Sequence, residues 1–444
     1  MLSLFGIFWF QPLSSIRSLD FWLPSLIILF SVVVWRYLFG SDKLSEEHNR
    51  ITLIILAAFF ILLGASRYVD FPFLHARVSV PAFGWIFIFL LTCTVLIFLS
   101  FSIHKKSLPG TAMSILMVLI LILQKYPPAA EATSVWLRNV NRQSITLASG
   151  SEIAWVGFSY FSFRLIHVLL EKRRFLGENI SLNNFLVYLI YFPSFTAGPI
   201  ARLDQFLAEL TTHKHNSIRD DFLEGGRRIC RGLFAKFILA DYLAIISIGQ
   251  HPINDYQVNG WLWLLLAAFS ARIFLDFAGY TDIAIGLSKL AGIKLPENFN
   301  HPYSAPNVAV FWNRWHITLT QWFRTYYFNP LIRYFRTNPG RIPSVFVVFF
   351  TQISTMLLIS LWHGIKLNFL LWGFWHGVGL FVHNRWADVI KPKLFKRKEI
   401  NNGGLPNAIS VLATFTFVSL GWVWFAIPDF PDALTLFQKL FGLI

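Results

Sequence analysis

Apolar runs of about 17–25 residues recur along this chain, each long enough to cross a hydrocarbon layer of about 30 Å as a helix. Candidate spans fall at 21–39, 51–65, 80–103, 111–124, 153–170, 184–200, 233–248, 261–277, 343–362, 369–382 and 409–426. The runs are continuous rather than alternating, so helices are expected and a barrel is not. With 55% hydrophobic and 14% charged residues and a mean hydropathy of +0.55, 444 residues carry more apolar surface than a soluble core can hide. The expected fold class is therefore all-α, a multi-pass transmembrane helical bundle of about eleven spans with re-entrant or interfacial helices. No internal repeat or long polar linker divides the chain, which reads as a single integral-membrane domain over 1–444 with a motif-bearing core at about 151–383.

A net charge of +15 would suggest nucleic acid in a soluble protein, but here the basic residues cluster between apolar runs. They stand at His104-Lys105-Lys106, Lys172 to Arg174, Arg227 to Arg231 and Lys391 to Lys398. Cytoplasmic loops facing anionic lipid headgroups account for that pattern, with the Lys391 to Lys398 run best placed in the cytoplasm, and no nucleic-acid partner is implied. Cys93 and Cys230 are far apart and support neither a disulfide framework nor a thiolate metal site.

Two stretches break the spanning pattern. Residues 203–231 are polar and mixed in charge with interspersed apolar positions, as expected of an interfacial segment. Residues 311–331 are as long as a span yet contain Arg314, His316, Arg324, Thr318 and Thr320, a set that lipid would not tolerate. That stretch should bend, re-enter or lie within protein. Charge also enters the spans: Arg164 and His167 share one, and Arg272 and Asp276 stand four apart on another, the spacing of an ion pair. Such a pair would fix helix packing, and Asp276 and Asp282 are read as architectural.

Histidines in or near the hydrocarbon layer are candidates for function, because an imidazole there is costly unless it lines a polar chamber. His316 lies in the run Phe311-Trp-Asn-Arg-Trp-His316, and His363 ends an apolar run in Trp362-His-Gly364. A second His-Gly pair, His376-Gly377, is read as packing or chamber wall. Neutral imidazole, with an ordinary pKa of about 6.5, is suited to take a proton from a hydroxyl. No Gly-x-Ser-x-Gly elbow or Cys-His neighbour offers a protein nucleophile, so direct acyl transfer is simpler than an acyl-enzyme. His363 and His376 are thirteen residues apart and His316 is distant from both, so no metal site is expected.

The ordered runs Asp276-Phe-Ala-Gly-Tyr-Thr-Asp-Ile-Ala-Ile-Gly286, Leu295-Pro-Glu-Asn-Phe-Asn300, Tyr303, Phe311-Trp-Asn-Arg-Trp-His316, Trp322-Phe-Arg324 and Trp362-His-Gly364 resemble the membrane-bound O-acyltransferase family. The branch they look like contains the D-alanyl transferase of teichoic acids and the O-acetyltransferases of alginate and peptidoglycan. The resemblance covers roughly 276–377, with weaker echoes at 157–163 and 196–200. It implies helices around a central funnel closing on a thin tunnel, with His363 matching the invariant catalytic histidine and His316 the second one. It also implies a cytoplasmic acyl donor, an acceptor hydroxyl on the outer side and, often, a partner protein. One departure stands out: that branch typically follows the equivalent of Asn329-Pro330-Leu331 with Gly-Gly, where this chain has Ile332-Arg333-Tyr334.

The residues and the resemblance together give a working expectation. The protein would be an acyltransferase of the bacterial cytoplasmic membrane, moving an acetyl or small aminoacyl group from a thioester donor, a carrier protein or coenzyme A, to a cell-envelope polysaccharide or partner protein. His363 would be the general base and His316 a positioning or oxyanion-stabilising group. Asn313, Arg314, Trp315 and Trp362 would contact substrate. No tightly bound cofactor is expected, and the partners would be membrane lipids, the donor and an extracytoplasmic acyltransferase. The competing class is a transporter or flippase of an anionic or lipid-linked envelope precursor, whose usual inverted repeats are not visible.

Overall fold

The computed structural model describes residues 1–39, 46–69, 79–103, 108–175, 178–211, 218–256, 260–337, 342–387 and 405–444. The basic runs at 104–106 and 391–398 lie outside the described residues. Among those described, regular structure is helical throughout, with no strand. Among the described residues five helices are long and apolar enough to cross a membrane: Leu19–Phe39, Glu47–Ala65, Trp261–Leu290, Ser344–His363 and Asn407–Ala426. The bent pair Gly110–Lys125 and Pro127–Val140, meeting at 93°, makes a sixth if it is one span. Several other expected spans are interrupted. The run at 184–200 forms the short helices Leu182–Leu189 and Phe192–Phe195, and the run at 233–248 continues the Ile218–Phe234 helix through a π turn at Ala235–Ala240.

The chain falls into two compact units, Met1–Lys214 and His215–Ile444. In the first, the Leu19–Phe39 helix is buried along most of its length. Several buried polar groups there bond to backbone. Trp35 Nε1 donates to the carbonyl of Ile180 at 2.9 Å, and Asn49 Oδ1 accepts from the Leu182 N–H at 2.9 Å. Arg164, 1% exposed, donates to the carbonyls of Leu189 and Ser194 and to Ser194 Oγ, where one short helix ends and the next begins. Without water, broken helices need such donors. His167 likewise accepts the Leu203 N–H on Nε2 at 3.1 Å.

The Pro127–Val140 helix is tied to the following 3-10 turn, Gly150–Ile153, by Glu152. Its carboxylate accepts from Arg138 Nε at 2.8 Å and Ser134 Oγ at 2.6 Å, and it closes a capping box with Ser149. The Arg138 guanidinium holds the Glu152 carboxyl down at about 2, from an ordinary 4.5. A depressed carboxyl stabilises the fold fully above its unfolded pKa, and that contribution is lost as pH falls from about 4.5 through about 2. Protection of the amides across 127–153, exchange taken relative to the intrinsic rate at each pH, should therefore hold steady from pH 7 to pH 5 and fall below pH 4.5, while Glu152→Gln should be less protected at pH 7 and lose the acid dependence.

In the second unit the Ile218–Phe234 helix lies against the 30-residue Trp261–Leu290 helix. Glycines repeat at seven-residue spacing on both, Gly225 and Gly232 facing Gly286 and Gly279. A Cβ on Gly232 would sit 2.5 Å from the Gly279 carbonyl oxygen, and one on Gly279 would sit 2.8 Å from that of Gly232. Small residues thus let two backbones touch. Charges fasten the seam: Asp282 accepts from Arg231 Nε at 2.7 Å and pairs with Arg228, and Lys289 pairs with Glu224. The expected Arg272–Asp276 pair is absent. Asp276 instead pairs with Lys236 from the adjoining π turn, and Arg272 donates to Ser247 Oγ at 3.4 Å, because the seam brings a cation from the neighbouring helix against Asp276. Gly279→Val should destabilise the purified protein by about 1–3 kcal/mol, the usual cost of overpacking. Gly226→Ala, where a Cβ meets nothing within 4 Å, is the control and should leave the melting temperature unchanged or higher.

Candidate active site

The stretch at 311–331 does not form a straight helix. It runs as the helix Val308–Arg314, a break at Trp315 and His316, the helix Ile317–Phe323 and a π turn at Arg324–Phe328 that leads into Asn329–Thr337. The Ile332-Arg333-Tyr334 sequence, in place of Gly-Gly, continues that last helix. At the break His316 adopts φ 44° and ψ 53°, the left-handed region that costs a non-glycine residue about 1–2 kcal/mol.

The Leu295 to Asn300 loop holds this conformation in place. Its Asn298 carbonyl accepts the Ile317 N–H at 2.9 Å, and Asn298 Oδ1 accepts the Thr318 N–H at 3.2 Å and its hydroxyl at 2.7 Å. The Asn300 N–H donates to the Arg314 carbonyl at 3.0 Å. The loop thus satisfies backbone groups on both sides of the break, where His316 itself offers no side-chain cap.

His316 is 3% exposed and, among the described residues, neither ring nitrogen has a hydrogen-bond partner. Its ring stands edge-on to Phe277 at 4.7 Å and meets Trp362 at 6.2 Å. His363 is the last residue of the Ser344–His363 helix and is half-buried. It meets Trp362 at 4.6 Å, Phe425 at 5.2 Å and Trp372 at 5.5 Å. The indole of Trp362 therefore contacts both sequence-selected histidines.

His376 belongs to the same aromatic assembly. It is fully buried in the Leu367–Arg385 helix, both nitrogens lack partners, and it meets Trp372 at 5.1 Å and Trp312 at 5.2 Å. Trp372 thus contacts His376 and His363 alike. The sequence pattern His-Gly flagged His376, but its contact with the 308–314 helix had no sequence signal.

A cavity of about 280 Å³ opens beside these rings, lined in part by Trp312, Asn313, Thr320, Arg324, Gln352 and Asn384. Neither His316 nor His363 is among its lining residues. Asn313 accepts from Arg324 at 2.7 Å, so this proposed contact residue does face a cavity. Arg314 instead donates to Ser304 Oγ at 3.1 Å, and Trp315 is 4% exposed, packed between Phe311 and Trp422. A further cavity of about 310 Å³ is lined by Arg272, Asp276 and Phe425, the last of which touches His363. Among the described residues no cluster of three or more His, Cys, Asp or Glu could hold a metal.

An all-helical membrane protein whose histidines converge on a buried aromatic assembly defines the structural class. The model of the membrane-bound O-acyltransferase family matches residues 85–421, and the chain belongs to that family. It is 30% identical over 290 residues to the "Probable alginate O-acetylase AlgI" of Pseudomonas aeruginosa, covering 65% of this chain and 51% of that one. It is 31% identical over 269 residues to the "Peptidoglycan O-acetyltransferase" of Helicobacter pylori, covering 59% and 48%. With the "Teichoic acid D-alanyltransferase" of Bacillus subtilis it shares 30% identity over 277 residues, 62% of this chain and 69% of the other. The chain thus spans about half the length of the first two relatives.

Asn298→Ala should release the His316 break, leaving the Thr318 N–H without its acceptor at a cost of about 1–2 kcal/mol. Thermal melting of the purified protein should fall accordingly, and tryptic cleavage at Arg314 should quicken. Unchanged melting and cleavage would show that the loop does not hold the break.

Proposed function

We propose that this protein is a membrane O-acyltransferase that moves an acetyl or small aminoacyl group from a cytoplasmic thioester donor to a hydroxyl of a cell-envelope polysaccharide or partner protein. The observation that carries the reading is the contact of His316 and His363 with one indole, inside a family match that spans both. The relatives' names supply the acyl groups and the envelope acceptors. The family match also crosses the boundary between the two compact units, which favours one functional domain over 1–444 with its motifs at about 151–383.

In the proposed step a nitrogen of His363 accepts the proton of the acceptor hydroxyl as its oxygen attacks the thioester carbonyl. The tetrahedral intermediate collapses, the carbon–sulfur bond breaks, and the proton returns from His363 to the departing thiolate. His316, at 3% exposure in an apolar wall, would act by donating to the developing oxyanion or by fixing the donor's carbonyl. Asn313, Arg314, Trp315 and Trp362 are assigned to substrate contact, with Asn313 best placed because it lines a cavity. The donor is a carrier protein or coenzyme A thioester, with no tightly bound cofactor. The setting is the bacterial cytoplasmic membrane, with lipids and an extracytoplasmic partner acyltransferase as neighbours. Two of the charges that favour the transporter reading have structural partners, Arg164 in capping carbonyls and Arg272 in a bond to Ser247 Oγ, which supports the acyltransferase reading over it.

Replacing His363 by Ala should lower acyl transfer at least about 10²-fold, the usual contribution of a general base, with the protein still folded in the membrane. His376→Ala should cost less at equal expression, since its proposed role is packing. Transfer of labelled acyl groups to the envelope polymer measures both. An active His363 variant, or an equal loss at His376, would show that the base has been assigned to the wrong histidine.

A further inference from the structure

The second compact unit carries a cavity of about 310 Å³ to which the proposed step assigns no role. One wall is the Trp261–Leu290 helix, through Phe269, Arg272 and Asp276, another is the end of the Asn407–Ala426 helix at Phe425, and the rim is the segment 248–250. Hydrogen bonds fix that rim. Tyr256 Oη accepts the Gly249 N–H at 3.0 Å and the His251 N–H at 3.3 Å, and Lys439 donates to the carbonyls of Ile253 and Tyr256. Gly249, at φ +85°, lets the rim meet the helix end, where an added Cβ would stand 3.0 Å from the Ala426 carbonyl oxygen.

Charge sets which way the cavity faces. The segment 247–260 holds no Lys or Arg, and neither does 427–438, which follows Ala426. Basic residues gather toward the other ends of these helices, at Arg227 to Arg231, at Lys289 and Lys294, and at Lys391 to Lys398. Basic ends are cytoplasmic, so the cavity lies toward the outer face, the side of the proposed acceptor.

Arg272 stands eleven residues into its helix, about 16 Å from the end that begins at Trp261. A guanidinium at such depth is costly unless it is paired or serves a polar path. The carboxylate one turn on, that of Asp276, is taken by Lys236. Among the described residues no carboxylate lies within 4 Å of Arg272. Its bond to Ser247 Oγ at 3.4 Å and its place over the Phe269 ring at 6.0 Å position the guanidinium and leave its charge uncompensated. Lys236 and Asp276 cancel, so one net positive charge faces the cavity. Phe425 lines the same space and touches His363 at 5.2 Å, so a single ring separates this cavity from the proposed base.

We propose that Arg272 is a specificity residue that holds an anionic group of the acceptor, a carboxylate or a phosphate, while a hydroxyl of the same polymer meets His363. The planar fork of arginine matches either anion with two parallel N–H bonds. The apolar side chains around it, Phe269, Ile273 and Phe425, lower the local dielectric and strengthen such a pair. A neutral polymer leaves the guanidinium without its counter-charge. The proposal rests on the acyltransferase reading for the reaction and adds to it that the acceptor is acidic.

The test uses the full chain in nanodiscs of zwitterionic lipid, with no acyl donor and with binding read by anisotropy. Three fluorescently labelled hexamers serve as probes: oligomannuronate for the carboxylate, oligoglycerol phosphate for the phosphate, and neutral cellohexaose. At least one anionic probe should bind saturably, at least about tenfold more tightly than cellohexaose, and more weakly as salt rises. Which anion binds tells the carboxylate from the phosphate. Arg272→Gln should weaken that binding at least about tenfold and remove its salt dependence, with cellohexaose unaffected. Arg272→Lys, which returns the charge without the fork, should bind about threefold more weakly than the parent protein. Both variants should melt with the parent. If Arg272→Gln does not fold, the parent's preference for charge and the Arg272→Lys variant carry the comparison. Equal binding of all three probes, no saturable binding of either anion, or anionic binding unchanged in both variants overturns the proposal. Because no donor is present, the two readings separate. Absent charge preference with His363-dependent transfer intact removes the role of Arg272 alone, and Arg272-dependent binding with no transfer from any donor removes the reaction alone.

Discussion

A helix that breaks inside an apolar interior exposes backbone donors and acceptors that water cannot reach, and each one left alone costs more than a hydrogen bond returns. This constraint governs the segment around His316. Asn298, itself fully buried, takes the first two free N–H groups after the break through its carbonyl and its side chain. The loop can do so because Ile293 and Leu295 anchor its start and the Phe299 ring packs edge-on against both Phe277 and Trp315. Once the break is held, the left-handed backbone of His316 turns its imidazole toward Phe277 and Trp362 rather than along a helix face.

The same need for partners explains most of the charge within the apolar segments. Arg164 replaces missing helix hydrogen bonds at the junction near Ser194, and Asp282 receives two arginines from the facing helix. Glycine spacing and ion pairs cooperate along the seam between Ile218–Phe234 and Trp261–Leu290. Backbone contact at Gly232 and Gly279 brings the long side chains of Arg228, Arg231 and Lys236 within reach of carboxylates on the opposite helix. Removing the close approach would separate these pairs as well as the backbones, so packing and electrostatics are coupled there.

How much of this the sequence disclosed depends on the range of the interaction. Helical class and the break within 311–331 were legible, because both follow from the cost of polar groups in hydrocarbon. The count of about eleven spans was not legible in the same way: among the described residues five helices, or six with the bent pair, qualify by length and hydropathy. Apolar composition cannot tell a continuous span from two short helices joined at Ile190 and Tyr191 and capped by an arginine from elsewhere. Spacing made Arg272 and Asp276 plausible partners, but a helix pair brought together by glycines supplied Lys236 instead. The Asn298 clamp and the placement of His376 against Trp312 depend on contacts 19 and more residues apart, for which a single sequence carries no pattern.

Two buried histidines contrast with the buried polar side chains that hold neighbouring structure. Arg138, Arg164, Asn49 and His167 each hold a neighbouring backbone or carboxylate, whereas both ring nitrogens of His316 and of His376 are without partners. These two cases differ in backbone. His376 sits within a regular helix, where its burial follows from the helix's own packing against Phe417 and Trp312. His316 is held in a strained conformation by a dedicated loop, and a fold gains no stability from strain at an unpartnered imidazole. Strain and an unmet hydrogen-bonding capacity at one residue are accounted for together if a bound substrate supplies the missing partner. On the proposed function, His316 rather than His376 would then be the buried histidine whose position serves what the site receives.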